Sequence, residues 1–324
     1  MGYAVRIFLI FLLVFCDPFF LFASDHSFIP ADGSTLLLIG QDNNTIDKYI
    51  EATKVVPAGF MAYTSIRYGE GIISDPIDWG AGINHPDYLL QKYPHTVLQI
   101  GLYMVGSLDE TLHGDFDDNL KKLSLWFKKI KSPVYLRIGY EFDFPDNQYD
   151  PQKYIAAFRY VVDFLRKESV TNVAFVWHSY GVINPDKPIS DWYPGDDYVD
   201  WVGVSFFEPK IDDLKTIAQY AHEKGKPLMI AEATPFRVGT LQGEKSWESW
   251  FPKLFTFIEE EHVRVLCYIN CNWEKTLMFQ GKGWGDARIE ANDDVKEHWL
   301  KETGSARYLH ASDDLFNKIS YNSN

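Results

Sequence analysis

This chain has little cysteine, a shortage of positive charge and only one long apolar run. Three Cys occur in 324 residues. Cys267 and Cys271 stand in "CYINC". If that stretch is a strand, their side chains point the same way but lie about 13 Å apart. A disulfide needs Cα atoms within about 7 Å. The spacing predicts two free, buried thiols and excludes a cross-linked scaffold, so a large core must hold the fold. Lys and Arg total 31 against 45 Asp and Glu, a formal net charge of −14. A chain this acidic is repelled by phosphate backbones, which excludes nucleic acid as a partner. There is no glycine-rich phosphate loop, no glycine fingerprint for a dinucleotide and no Cys/His cluster at metal-ligand spacing. No cofactor or metal is therefore expected.

The long apolar run is N-terminal. Arg6 precedes "IFLIFLLVF", and "LFAS" supplies small residues at Ala23 and Ser24. This is the layout of a secretory signal cut near residue 24. A membrane anchor is the alternative, but the run ahead of Cys16 and Asp17 is short for a span. A lipoprotein at Cys16 would need a small residue where Phe15 stands. The expectation is a secreted or periplasmic monomer, with a signal over residues 1–24, one domain over 25–324 and no membrane association after cleavage. "NNT" at Asn43–Thr45 is a glycosylation sequon, of consequence only in a eukaryotic secretory pathway.

Aromatic residues are abundant at 16%. Most serve a core, and the surplus suits a surface that stacks on the flat faces of sugar rings. Short apolar runs recur along the chain: "TLLLIG" (35–40), "GFMAYT" (59–64), "TVLQIGLYM" (96–104), "VYLRIGY" (134–140), "NVAFVW" (172–177), "DWVGVSF" (200–206), "PLMIAEA" (227–233) and "VRVLCYIN" (263–270). Nearly continuous apolar character marks strands covered on both faces. Helical patterns lie between them. "DNLKKLSLWFKKI" repeats its apolar residues with a period near 3.6. "DPQKYIAAFRYVVDFLRKE" opens with Asp150 as N-cap and Pro151 at the first helical position. Gly225 stops the helix of "IDDLKTIAQYAHEKGK". Strands alternating with helices predict an α/β fold, a single-domain (β/α)8 TIM barrel. An open doubly wound sheet competes, but "IGQDNNT" is not its glycine-rich first turn.

Chemistry in such a barrel collects at the C-terminal ends of the strands. The fourth run ends in Glu141 and Asp143, with Arg137 inside it; the seventh ends in Glu232, flanked by Ala231 and Ala233. A carboxylate inside an apolar strand is costly unless it is paired. Two carboxylates meeting across a barrel mouth are the tools of glycoside hydrolysis: one attacks the anomeric carbon, the other gives and takes a proton. Arg137 would sit beneath them as a fixed positive charge, favouring the ionised nucleophile, or serve as an interior salt bridge, or both. The alternatives are a structural ion pair for Glu232 and a solvated loop acid for Glu141.

The stretch "LRIGYEFD…YDPQKYIAAFRYVVDFLR…NVAFVWHSYG…DWYPGDDYVDWVGVSFF…KPLMIAEAT" resembles glycoside hydrolase family 26, within the clan of (β/α)8 retaining glycosidases. The resemblance is good over residues 130 to 235. It implies Glu141 as acid/base and Glu232 as nucleophile, the pair chosen from the residues themselves. Three departures bear on substrate. Tyr140 stands where family mannanases place His, and Asp143 where they place Asn. After the sixth strand, Phe206 and Phe207 replace a Tyr that hydrogen-bonds the nucleophile.

Supporting roles are expected of Tyr140 beside the acid/base and of Trp273 as the platform under the sugar at the cleavage point. Trp284, in "GKGWGDARIE", is either a second platform or a loop anchor. His178 binds a hydroxyl or the acid/base, or is a satisfied strand-end His. Tyr103, Gln99, Asp143 and Phe206 are candidates to face substrate, and Glu208 is a third acid or an exposed loop residue. Asp196, Asp197 and Asp200 precede the sixth strand, where position argues for stability, with "YPGD" capping a short helix. The reading is a retaining endo-β-glycosidase acting on a β-linked plant or algal polysaccharide. β-Mannan leads; β-1,3-xylan or a mixed-linkage β-glucan follows. A carbohydrate-binding pseudo-enzyme that keeps the cleft without turnover is the rival class, and a structural wall or surface protein without a cleft is a third.

Overall fold

The computed structural model describes residues 27–321. The signal expected over residues 1–24, Cys16 included, lies outside the described residues. The apolar runs form eight parallel strands: β1 (Thr35–Gly40), β2 (Gly59–Ser65), β3 (Val97–Tyr103), β4 (Val134–Ile138), β5 (Val173–Ser179), β6 (Trp201–Phe206), β7 (Leu228–Ala233) and β8 (Val265–Ile269). Each pairs with the next, and β1 pairs with β8 through Leu36 beside Val265 and Leu38 beside Cys267. The sheet closes on itself, so the fold is the (β/α)8 TIM barrel and not an open sheet.

Helices cover the outside: α1 (Asn43–Thr53), α2 (Pro86–Lys92), α3 (Leu108–His113), α4 (Asp117–Ile130), α5 (Pro151–Lys167), α6 (Ile211–Glu223), α7 (Glu244–Glu260) and α8 (Asp293–Thr303). The start of α5 is the one its sequence predicts: the Asp150 side chain accepts from the Lys153 amide and Pro151 opens the helix. Gly225 lies just past α6 at φ +63°, a left-handed conformation that favours glycine. The β5–β6 connection departs from the pattern. It carries only a one-turn 3₁₀ helix, Ile189–Trp192, and the "YPGD" segment follows that turn instead of capping a helix. Aromatic rings occupy this sector. Phe142 stacks on Trp177 at 4.6 Å, and the Trp177 indole donates to the Trp192 carbonyl at 3.1 Å.

Within the strands, alternate residues face the helices and the barrel interior. Leu37 and Ile39 of β1 join the outer core, while Leu36 and Leu38 join the inner one. The bottom of the barrel is filled by Tyr135 and Trp201, edge to face at 5.2 Å. The Tyr135 hydroxyl donates to the Phe28 carbonyl at 2.7 Å, and Tyr321 packs on the Phe28 ring. Asp200, just below β6, accepts the Phe175 amide, a structural contact. Cys267 and Cys271 are free and buried, as their spacing predicts. Asn43 of the sequon is also buried, with its side-chain amide exchanging hydrogen bonds with the His85 backbone.

One irregularity matters for the site. Val204 of β6 lies opposite Ile230, but its successor Ser205 lies opposite Glu232, so Ala231 is an extra residue in β7. The same shift occurs against β8, where Leu266 faces Ile230 and Tyr268 faces Ala233. This is a β-bulge. Strict alternation would place Glu232 on the helix side with Ile230. The bulge turns it inward.

Candidate active site

Arg137 of β4 anchors the mouth. Its guanidinium is fully buried and pairs through Nη1 with Oε1 of Glu232. The rings of Tyr63 and Tyr140 cover it at 5.1 and 4.8 Å from the guanidinium carbon to each centroid. Buried cations need such compensation, because desolvation is otherwise costly. The arrangement depends on Gly101 of β3. A Cβ there would lie 2.9 Å from Arg137 Nη2 and 2.8 Å from Tyr63 Cδ1, closer than packed atoms approach. Tyr63 also donates its hydroxyl to Glu232 Oε1 at 3.2 Å. The nucleophile candidate thus has its tyrosine, supplied by β2. The resemblance places such a tyrosine at the end of β6, where Phe206 and Phe207 stand instead.

Glu141 lies just beyond the end of β4, where the chain kinks through two left-handed residues, Gly139 at φ +55° and Glu141 at φ +53°. For a residue other than glycine this conformation costs roughly 1–3 kcal/mol and persists only where surrounding contacts enforce it. Here the Phe142 amide bonds to the His178 carbonyl, and the Asn147 side chain donates to the Glu141 carbonyl at 2.8 Å. The Glu141 carboxyl is half-buried. It accepts from the Ser205 hydroxyl at 2.6 Å. Burial and the negative charge of Glu232 push its pKa up to about 8, against the smaller opposing pull of Ser205 and Arg137. A protonated Glu141 therefore coexists at neutral pH with a Glu232 tied to a guanidinium, the division of labour that two catalytic carboxylates require.

His178 and Ser205 link the two acids. His178 is fully buried, with Nδ1 3.2 Å from Arg137 Nη1 and Nε2 3.0 Å from Ser205 Oγ. Burial, then the Arg137 charge, lowers its pKa well below the ordinary value, so the ring is neutral. It reaches the acid/base candidate only through Ser205 and has no surface for a substrate hydroxyl.

The other expected site residues divide. Tyr103, at the mouth end of β3, is 45% exposed and free to meet a substrate. Tyr140 stacks near His178 with rings 6.5 Å apart, and Trp284 is half-buried among Phe207, Phe236, Trp273 and Phe279, an anchor for its loop. Trp273 is corrected: at 2% exposure its ring is covered by Phe279 and Trp284, and its indole donates to Thr234 at 3.0 Å, leaving no open face for a sugar. Phe206 is corrected too. It faces outward against Trp250 and Phe257 of α7, because alternation along β6 gives the interior to Ser205. Asp143 does not face substrate; it clasps β5, accepting from the Ser179 hydroxyl and the Tyr180 amide, and burial raises its pKa to about 6. Gln99 is buried deep in the barrel, donating to the Ala231 carbonyl at 2.8 Å, and Glu208 is an exposed loop residue.

Sequence reasoning missed Tyr63, Ser205 and Gly101. Ser205 left a trace: a lone hydroxyl inside an otherwise apolar strand needs a buried partner. Tyr63 and Gly101 left none. Among the described residues no cluster of His, Cys, Asp or Glu could hold a metal ion.

Residues 133–242 match the model of glycosyl hydrolase family 26, the span that carries Arg137, Glu141, His178, Ser205 and Glu232. A β-1,3-xylanase of an Alcaligenes species is 31% identical over 92% of this chain and 69% of its own length. A β-1,3-xylanase of a Vibrio species is 30% identical over 92% of this chain and 71% of its own. Among solved structures, a β-mannanase of Bacteroides ovatus superposes with a TM-score of 0.64 over 87% of this chain and 92% of that one; at 13% identity it speaks for the barrel alone. Identity of the size seen with the two xylanases, sustained over 92% of the chain, places this protein in glycosyl hydrolase family 26, as a glycoside hydrolase.

Proposed function

We propose that the protein is an endo-β-1,3-xylanase working by double displacement with retention of configuration. Glu232 attacks the anomeric carbon, while Glu141 donates its proton to the leaving oxygen. Glu141 then takes a proton from the water that releases the glycosyl group. Arg137 and the Tyr63 hydroxyl hold the Glu232 carboxyl group in place for attack. The observation that carries the reaction is the shared network in which one carboxylate is paired with a guanidinium and the other is held protonated. The sugar comes from the two relatives named as β-1,3-xylanases; it moves β-mannan, the leading expectation from the sequence, to second place. Export through residues 1–24 and action outside the cytoplasm belong to the same proposal, supported by the basic and apolar N-terminus.

Reducing-sugar release from β-1,3-xylan, β-mannan and mixed-linkage β-glucan tests the substrate. Release of short xylo-oligosaccharides of mixed length from β-1,3-xylan is expected, with the β-anomer forming first by NMR. Faster cleavage of mannan than of xylan overturns the sugar. First appearance of the α-anomer overturns the double displacement.

A further inference from the structure

We infer that His178 and Ser205 are positioning residues for the acid/base: the hydrogen-bond chain Arg137–His178–Ser205–Glu141 runs in a single direction and confines the proton of Glu141 to Oε2. This rests on the reading of Glu141 as the acid/base.

The direction follows from what each group can do. A guanidinium only donates. Arg137 Nη1 lies 3.2 Å from His178 Nδ1, so Nδ1 accepts and carries no proton. A neutral imidazole then holds its one proton on Nε2. Nε2 lies 3.0 Å from Ser205 Oγ and donates to it. The serine hydroxyl has one proton of its own, which it gives to Glu141 Oε1 at 2.6 Å. Oε1 is therefore an acceptor, and the acid's proton resides on Oε2. Arg137 and His178 are fully buried and Ser205 is 3% exposed, so solvent cannot supply a competing orientation.

No neighbouring group reverses the chain. Glu141 is faced by Glu232 from β7, by Arg137, Tyr140 and Asp143 from β4 and its following loop, by Ser205 from β6 and by Tyr180 just past β5. A second proton on His178 would oppose the Arg137 charge and would remove the acceptor that faces Nη1. The consequence for catalysis is orientational. A carboxylic acid can carry its proton on either oxygen. Here the fraction protonated on the oxygen engaged by Ser205 is suppressed. Oε2 is likewise the oxygen that receives the proton of water in the second step.

Long-range ¹H–¹⁵N spectra of the full chain test the direction without reference to any substrate. His178 is expected as the neutral Nε2–H tautomer at pH near neutrality. An Nδ1–H tautomer or an imidazolium overturns the proposal. This measurement uses the unsubstituted protein, so it decides the question even where a variant fails to fold. Kinetics give the second test. Ser205→Ala should lower kcat/KM on β-1,3-xylan about tenfold, a part of the roughly 10²–10⁴-fold that general acid catalysis contributes. The value on a dinitrophenyl β-xylobioside, whose leaving group needs no proton, should change less than about twofold. Ser205→Thr should restore the polysaccharide activity. Equal losses on both substrates overturn the positioning role. Glu141→Gln separates the two levels: no difference between the substrates in that variant removes the acid/base reading itself. A difference in Glu141→Gln that is missing in Ser205→Ala removes only the positioning chain.

Discussion

The bottom and the mouth of the barrel are built on the same strands, with opposite use of polar groups. On β4, Tyr135 fills the bottom and Arg137, the next inward residue, enters the mouth. On β6, Trp201 fills the bottom and Ser205 enters the mouth. Below, large rings pack edge to face and their polar tips reach backbone carbonyls, as Tyr135 does with Phe28 and Trp201 with Ser27. Above, polar side chains meet one another, and a buried cation, a neutral histidine and two carboxyls share one network. The lower layers hold the strands in place, so that the upper layer can keep groups whose burial is costly. Stability and chemistry are thus divided by height within the barrel.

That division can be broken from either end. The largest effect is expected at the mouth. Glu232→Gln keeps the shape and removes the anion, and turnover should fall on the order of 10⁴-fold while the circular dichroism spectrum persists. Substantial remaining turnover of the purified variant would move the nucleophile elsewhere. At the bottom the order reverses. Trp201→Ala empties a fully buried indole site and should cost about 3–5 kcal/mol in urea unfolding. The kcat/KM of the protein that stays folded should remain within about threefold of wild type. A loss of activity matching that of the mouth variants would abolish the contrast.

Gly101→Ala tests whether the mouth is packed as closely as the bottom. The added methyl meets the guanidinium of Arg137 and the Tyr63 ring, so kcat/KM should drop about a hundredfold, out of proportion to a change in Tm of a few degrees. Wild-type kinetics in this variant would mean that Tyr63 and Arg137 can separate freely.

The smallest effect concerns pH. The native pKa of Glu141, about 8, lies above its ordinary value of 4.5. Between those values the folded protein keeps a proton that the unfolded chain releases. The resulting stability is complete below about pH 4.5 and is lost as pH rises through about 8. Glu141→Gln carries no such charge. Its Tm should exceed that of wild type by an amount that grows from about pH 5 to about pH 8, measured by scanning calorimetry. A gap that stays constant with pH would place the Glu141 carboxyl in water. The same titration should set the fall of wild-type kcat/KM on the alkaline side near pH 8.

Much of this was legible in the chain. Eight apolar runs, an Asp150 N-cap and a Gly225 stop predict a barrel whose strand ends match those observed within a few residues. Arg137, Glu141 and Glu232 stand out because charge inside or at the lip of an apolar strand demands a partner. The errors share a cause. A strand covered on both faces is apolar on both, so its composition does not say which residues face inward. Phe206 was therefore expected at the mouth and Ser205 was overlooked. Trp273 was expected to be open because its burial depends on Phe279 and Trp284, residues of a loop whose course no local pattern sets.

The sequence by itself marked the eight barrel strands, the ends of α4 and α5 and the two carboxyls at the strand ends, because apolar periodicity, capping and the cost of buried charge are local properties. The tertiary structure alone decided how those carboxyls differ. Closing the sheet brings Tyr63, Arg137, His178, Ser205 and Glu232 from five strands into one network, and the extra residue Ala231 turns Glu232 toward it. Orientation and electrostatic environment arise from neighbours distant in the chain, which become neighbours only when the barrel closes.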